Sequence, residues 1–482
     1  MNNKGGWYLV PAAFLFIVHF SLSPSLFAVL DRSLYLLLLV SLFLALRRID
    51  LSRIEPVVVA GVGALLFAYG LAQRFWLFPQ ALRSLPVDGP FFRQALAARL
   101  RSGRIFTVFP LPTLYAMVCG VLLLFLLDLF LRARGGGKFG WAALALLGLA
   151  NLVLTQSFGG VLFFLAGALF YLFTSRQLPR KWLPPVVMVL SLLLFLVIAL
   201  RYSEARRLDP ARLRLANWAQ AVRLIESSPW LGVGLGNYGN RVAAVTLPGE
   251  PQSIYAHNFP LQLAAETGVI PALLLLAAAG LLLWRRRRFL LEAGQACLSA
   301  VLVLIVLHNL IDIGVYFLGA GLALVWVLAR LFPAGRRDWS RAWLGVALGA
   351  GWLLWTGLTG GWARQGDVYL AQGERAAARV EYERSLRGHP LSPRPLLPLA
   401  ELAMQEGDLT RARELLERAT AAQPGLAYAR SLHAQLALRQ GRFACALREA
   451  GAAQVNALRP DYRNAFEKLS NELAKQIQTT RP

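Results

Sequence analysis

The feature that most limits how this chain can fold is a recurring apolar run of membrane-spanning length. Such runs lie at roughly 8–29, 33–46, 54–72, 110–131, 139–155, 159–175, 183–200, 258–284, 290–308, 313–331 and 341–359. A segment in hydrocarbon must satisfy its own backbone hydrogen bonds, so a chain patterned this way crosses as helices. Hydrophobic residues make up 57% of the 482 positions, too many for an ordinary soluble domain. The expected body, residues 1–360, is an all-α polytopic helical membrane protein of about eleven spans. The first stretch, followed by so many others, reads as a span and not as a cleaved leader.

Charge orients the body. The chain carries a formal net charge of +24, which by itself would suit nucleic acid. Its distribution argues against that partner. Arg47, Arg48 and Arg53, then Arg132, Arg134 and Lys138, then Arg176, Arg180 and Lys181, then Arg285 to Arg288, then Arg330, Arg336, Arg337 and Arg341 all fall in short loops after every second span. This is the positive-inside pattern, and it sets the N-terminus in the cytoplasm. The same parity puts residues 73–109, residues 201–257 and everything after about 360 outside. Both outer loops are also basic: Arg74, Arg83, Arg93, Arg99, Arg101 and Arg104 face only Asp88 in the first. Two readings fit this surplus, a face solvated or paired with anionic headgroups of membrane lipids, and a site for an anionic ligand such as a phosphate.

After the last span the composition turns rich in Ala, Arg, Glu and Gln. Gly373, Gly407 and Gly441 recur at a 34-residue step, each followed five residues later by Ala378, Ala412 and Ala446. Pro390 and Pro424 keep the step, and the third proline slips to Pro460. Small residues let paired helices approach and proline ends each second helix, so 361–482 reads as an α-solenoid of tetratricopeptide type. A terminal helix is expected over Tyr462 to Gln478, and such grooves bind protein partners.

Chemistry is sought in the longest polar interruption, 201–257 and its continuation. His257 closes this arginine-rich loop at the mouth of an apolar segment. Histidine can accept a proton near neutral pH, so His257 is placed to deprotonate a hydroxyl while arginines neutralise a phosphate leaving group. The structural alternative is that Asn258 caps the following helix and Pro260 starts its first turn. His308, near Asn309 and Asp312, lies at the outer end of another span; His19 reads as a buried, hydrogen-bonded histidine, and His389 and His433 as surface or packing positions of the repeats. The Gly232, Gly234 and Gly236 run lacks the strand that a nucleotide loop needs, and reads as a turn packing Trp230 and Tyr238. No DxD, HExxH or GxSxG occurs, and Cys119, Cys297 and Cys445 lie far apart, so neither a metal nor another cofactor is expected.

Trp218, the run Ser228 to Tyr238, His257-Asn258, Leu261-Gln262, Glu266 and Gly268 together resemble the core of the O-antigen ligase and polymerase superfamily. Residues 104–112 look like that family's outer segment leading into a span, and 155–160 like its short outer turn. The resemblance spans roughly 30–330, and members often carry C-terminal tetratricopeptide repeats. It implies a bacterial inner-membrane enzyme of polysaccharide and lipopolysaccharide assembly. Such an enzyme moves a glycan from an undecaprenyl-pyrophosphate carrier to a hydroxyl of a glycan, lipid or protein acceptor on the outer face. It implies His257 as general base, with Arg214, or its neighbour Arg212, on the donor pyrophosphate, and no metal. Trp218, Asn258 and Glu266 would support the site. Two positions depart from the family pattern: Phe158 stands where an arginine is usual, leaving Arg104, Arg201 or Arg241 to substitute, and Pro271 stands where glycine is common.

A polymerase of the same superfamily would differ only in its acceptor. A bicarbonate-type transporter would prefer ionisable residues deep in its spans, and only His19 and Asp128 approach that. A scaffold that merely anchors the repeats would not need so many spans.

Overall fold

The computed structural model describes residues 25–84, 99–177, 210–247, 253–333, 340–390 and 392–456, with single positions in 179–199, at 250 and in 467–475. The expected span at 8–29, Arg201, and the terminal helix after Tyr462 fall largely or wholly outside these residues, and the expected span at 183–200 does so in part.

Everything regular among the described residues is helical. The membrane body comprises α1 (Leu26–Leu46), α2 (Glu55–Ala72), α3 (Pro112–Arg132), α4 (Gly137–Leu154), α5 (Phe158–Ser175), the polar α6 (Pro210–Ser227), the short α7 (Phe259–Thr267), α8 (Val269–Arg285), α9 (Ala296–Ile311) and α10 (Leu318–Leu331). The long α11 (Ser340–Ala371) then leads into α12 (Arg375–Gly388), α13 (Leu396–Glu406), α14 (Leu409–Ala422), α15 (Ala427–Arg439) and α16 (Phe443–Asn456). Among the described residues six helices are long and apolar enough to cross a bilayer, and α8 and α10 are shorter apolar ones.

The central element is α3, 78% of whose span is buried against 17% for α4. Helices α4, α5 and α9 pack on it, while α1 lies against α10 and α11. Lipid supplies no hydrophobic drive between helices, so close approach matters, and small residues permit it. A methyl at Gly160 would come within 2.4 Å of Ala116, one at Gly120 within 2.8 Å of Leu304, and one at Gly349 within 2.5 Å of Leu38.

Three boundaries differ from the hydropathy reading, each for a polar reason. Asp31-Arg32, which read as a turn, lie inside α1: Asp31 accepts from the Trp352 indole at 3.2 Å, and Arg32 donates to the Tyr316 carbonyl at 2.7 Å. Ser25 caps α1. Helix α2 continues through a π-turn, Gln73–Leu77, to Ser84. There buried Gln73 bonds the backbone of Phe106 and Thr107, pinning the segment 104–109. The stretch 258–284 is broken at Gly268, whose φ of 89° ends α7.

In the solenoid Gly373, Gly407 and Gly441 all adopt positive φ after a helix, and Ala378, Ala412 and Ala446 are fully buried where helices pair. The first repeat has no helix of its own ahead of α12. Its partner is the end of α11, a continuous 32-residue helix that runs through the expected boundary at 360/361.

Candidate functional site

The site is built on two corners of chain. The first is 253–258, leading into α7. The Asn258 side chain accepts from Leu261 N–H at 2.9 Å and Pro260 occupies the first turn, a normal N-cap. Its amide also donates to the Leu310 carbonyl at 2.8 Å, tying the corner to the end of α9. His257 is left in a left-handed conformation, φ 50°. Few non-glycine residues adopt it, and a functional site is one place where such strain persists.

The second corner is 312–317, after α9. Asp312 is 1% exposed, and its carboxylate lies 3.1 Å from His257 Nδ1 while also accepting from Ile313 N–H. Burial alone would raise the Asp312 carboxyl. The hydrogen bond from His257, with His308 close by, outweighs that and holds it below the usual carboxylate range. A buried carboxylate kept ionised needs a donor, which assigns the proton to His257 Nδ1 and the lone pair to Nε2. The His257 side chain is 22% exposed, so that lone pair is open to an incoming group. Behind the pair, His308 is anchored through Nε2 to the Thr113 carbonyl at 3.1 Å.

Helix α6 lies against α7 and brings two of the expected residues to this corner. The Trp218 indole donates to the His257 carbonyl at 3.3 Å, fixing the strained residue from its backbone side. Arg214, one turn earlier on the same face and half-buried, is near enough for its charge to act on His308. Arg212 is exposed at the start of α6. Arg104 donates through Nε to the Thr155 carbonyl at 3.0 Å, which places it at the turn leading to Phe158. Phe158 is exposed in the first turn of α5 behind the Ser157 cap. Arg241 is exposed on the short helix Tyr238–Arg241, beside the repeats.

The glycine run has a structural task. Val233 and Gly234 N–H bond the Ala265 and Glu266 carbonyls, and Val269 N–H bonds the Pro229 carbonyl, so the run wraps the end of α7 backbone to backbone. A methyl at Gly268 would come within 2.1 Å of the Trp230 carbonyl oxygen. Buried Glu266 closes the wrap, accepting from Gly236 N–H, the Gln262 amide and the Tyr316 hydroxyl. Thus Glu266 serves the glycine loop and the Asp312 corner more than the start of α7. Tyr238 is buried, and Trp230 is 70% exposed.

Sequence reasoning missed Asp312 as the partner of His257, and missed Arg32 and Tyr316 altogether. Asp312 carried one signal, a lone acid between Ile311 and Ile313 at the end of an apolar span. Arg32 had none, since it read as a loop cation.

Residues 142–277 match the family model described as O-antigen ligase, and residues 369–436 match the one described as tetratricopeptide repeat. The first match runs from within α4 to within α8 and so includes His257, Arg214 and the glycine run, while Asp312 lies beyond it. No curated protein and no solved structure matches the chain. Residues 142–277 are thus similar to an O-antigen ligase domain and residues 369–436 to tetratricopeptide repeats, in a chain with several apolar helices long enough to cross a membrane.

Proposed function

We propose that this O-antigen ligase domain transfers a glycan from a polyprenyl-pyrophosphate donor to an acceptor hydroxyl at the outer face of the bacterial inner membrane, with His257 as general base. The observation that carries the reading is the His257 Nδ1 to Asp312 contact of 3.1 Å, with Arg214 of α6 near enough to act on neighbouring His308.

His257 Nε2 takes the proton of the acceptor hydroxyl as its oxygen attacks the anomeric carbon of the donor. The carbon–oxygen bond to the pyrophosphate breaks, and the carrier leaves as polyprenyl pyrophosphate. Asp312 stabilises the imidazolium that forms, as a buried carboxylate does in any His–Asp pair. Arg214, with Arg212 and with Arg104 at the turn where Phe158 stands, neutralises the charge growing on the leaving group. The proton on His257 returns to solvent or to the leaving group. A ligase and a polymerase share every one of these steps and differ only in the acceptor. The positive-inside pattern supports placing the site and the repeats outside and the N-terminus in the cytoplasm.

The test is His257→Ala in membranes supplied with lipid-linked donor and acceptor. Transfer is expected to fall about 10²- to 10⁴-fold, the usual range for a lost general base, with protein level unchanged and lipid-linked donor accumulating. Transfer within a few-fold of the parent would remove His257 from the base role and return attention to His308.

A further inference from the structure

A second polar cavity lies on the other side of the same two corners. It encloses about 370 Å³, within the size range of small-molecule pockets. Its walls come from the start of α1, the glycine loop, the segment before His257, the inner face of α7 and Tyr316, and from the tetratricopeptide loop 423–426 that roofs it. The roof is seated closely: Ser25 Oγ donates to the Ala422 carbonyl at 2.6 Å, and a methyl at Gly425 would come within 2.9 Å of the Asn240 backbone. Tyr255 in this wall is two residues before His257, and Tyr316 is four after Asp312. Whatever fills the cavity therefore touches the two segments that hold the proton-transfer pair.

The lining chemistry is selective. Arg32 sets its guanidinium over the Tyr316 ring at 3.9 Å, bonds the Tyr316 carbonyl, and is faced by Glu266 and Asp31. The cavity therefore has no surplus positive charge to hold a pyrophosphate. What it offers is a mixture of carboxylate, hydroxyl and amide groups, including Asn240 and Gln423, around aromatic Tyr255. A sugar ring presents alternating hydroxyl donors and acceptors with apolar C–H faces, and this lining answers both.

We infer that the cavity between the ligase domain and the repeat loop 423–426 is a sugar-binding subsite for the uncharged glycan portion of the acceptor, so that the repeats form part of the substrate pocket. The assignment of the occupant to the acceptor rests on the transfer reading above; the binding of a sugar does not.

The experiment uses the full chain in lipid nanodiscs and a panel of short neutral oligosaccharides of hexoses and N-acetylhexosamines, with binding read by saturation-transfer NMR. Binding is expected in the parent protein and in His257→Ala, undisturbed by inorganic pyrophosphate, and roughly tenfold weaker in Gln423→Leu and in Asn240→Ala, the cost of about one or two lost hydrogen bonds. The two variants lie on different elements, so a folding defect in one leaves the other to decide, with thermal unfolding as the check. Absence of binding across the panel, displacement by pyrophosphate, or parental affinity in both variants would overturn the subsite. In transfer assays the variants should raise the acceptor KM and leave the donor KM alone. A protein that binds sugars through these residues yet transfers nothing would sink the transferase reading and keep the sugar site.

Discussion

At the residue scale the chemistry depends on one contact between side chains 55 positions apart. His257 is legible in the sequence because a histidine at the mouth of an apolar segment, after an arginine-rich loop, has few structural reasons to be there. Asp312 is not, because only the folded return of α9 to the same corner makes it a partner. Asp312→Asn tests the pair with little change of shape. The amide no longer stabilises the imidazolium, so transfer should fall at least roughly 100-fold, as in other His–Asp sites, while donor binding is retained. A drop below threefold would make Asp312 a packing residue. The pH dependence follows in sign. The Asp312 carboxyl is held below its ordinary value in the fold, so its stabilisation is complete above about pH 4, the unfolded carboxylate value. It is lost as pH falls through the lower folded value. The difference in unfolding temperature between parent and Asp312→Asn should therefore shrink as pH falls below about 4. A difference that grew over that acid range would contradict a carboxylate held ionised in the fold.

At the element scale the glycine run shows how a motif that resembles a binding loop can be a clamp. Gly232 and Gly268 both have positive φ, and a methyl on either would strike backbone atoms within 2.4 Å. Gly232→Ala and Gly268→Ala should each cost roughly 2 kcal/mol or more, from strain and overpacking together. Gly357→Ala, on α11 with nothing within 4 Å of the added methyl, should cost nothing. Thermal unfolding in detergent measures all three, and equal effects would mean that the clamp does not bear on stability. The tetratricopeptide elements were the most legible part of the chain, because their glycines and alanines answer to local helix-pair geometry at one fixed period. Helix α1 was the least. Hydropathy set a turn at Asp31-Arg32, since nothing local reveals that Trp352 and Tyr316, some three hundred residues away, satisfy those charges inside a helix. The cavity was invisible for the same reason, its walls being drawn from segments at both ends of the sequence.

At the scale of the whole molecule, the repeats meet the membrane body in several places among the described residues: through α11, through the loop after α14, and where α16 packs on residues 242–245. Helix α11 continues without a break from its apolar half into the first repeat. A continuous helix transmits position and rotation along a length of about 48 Å at 1.5 Å per residue. The second attachment is the loop after α14, seated on Ser25 and on Gly239-Asn240. A domain hung only from α11 could swing, but separated attachments remove that freedom and set the repeat loop as a wall beside the His257 corner. If this docking holds in the membrane, Ser25→Cys with Ala422→Cys, in a Cys445→Ser background, should cross-link under mild oxidation. The hydroxyl and carbonyl at these positions stand 2.6 Å apart, which brings the two backbones near disulfide range. Cys119 and Cys297 are buried and should not compete. Cleavage between the two cysteines should then leave a product that runs as one chain until reduced. A control pair, Ser25→Cys with Arg413→Cys on the exposed side of α14, should stay free. If the docked pair fails to cross-link in native membranes, the repeats do not rest on the ligase domain and the cavity loses its roof. If it cross-links and transfer persists, the docked arrangement is the working one, and the acceptor must reach His257 past a wall that the repeats supply.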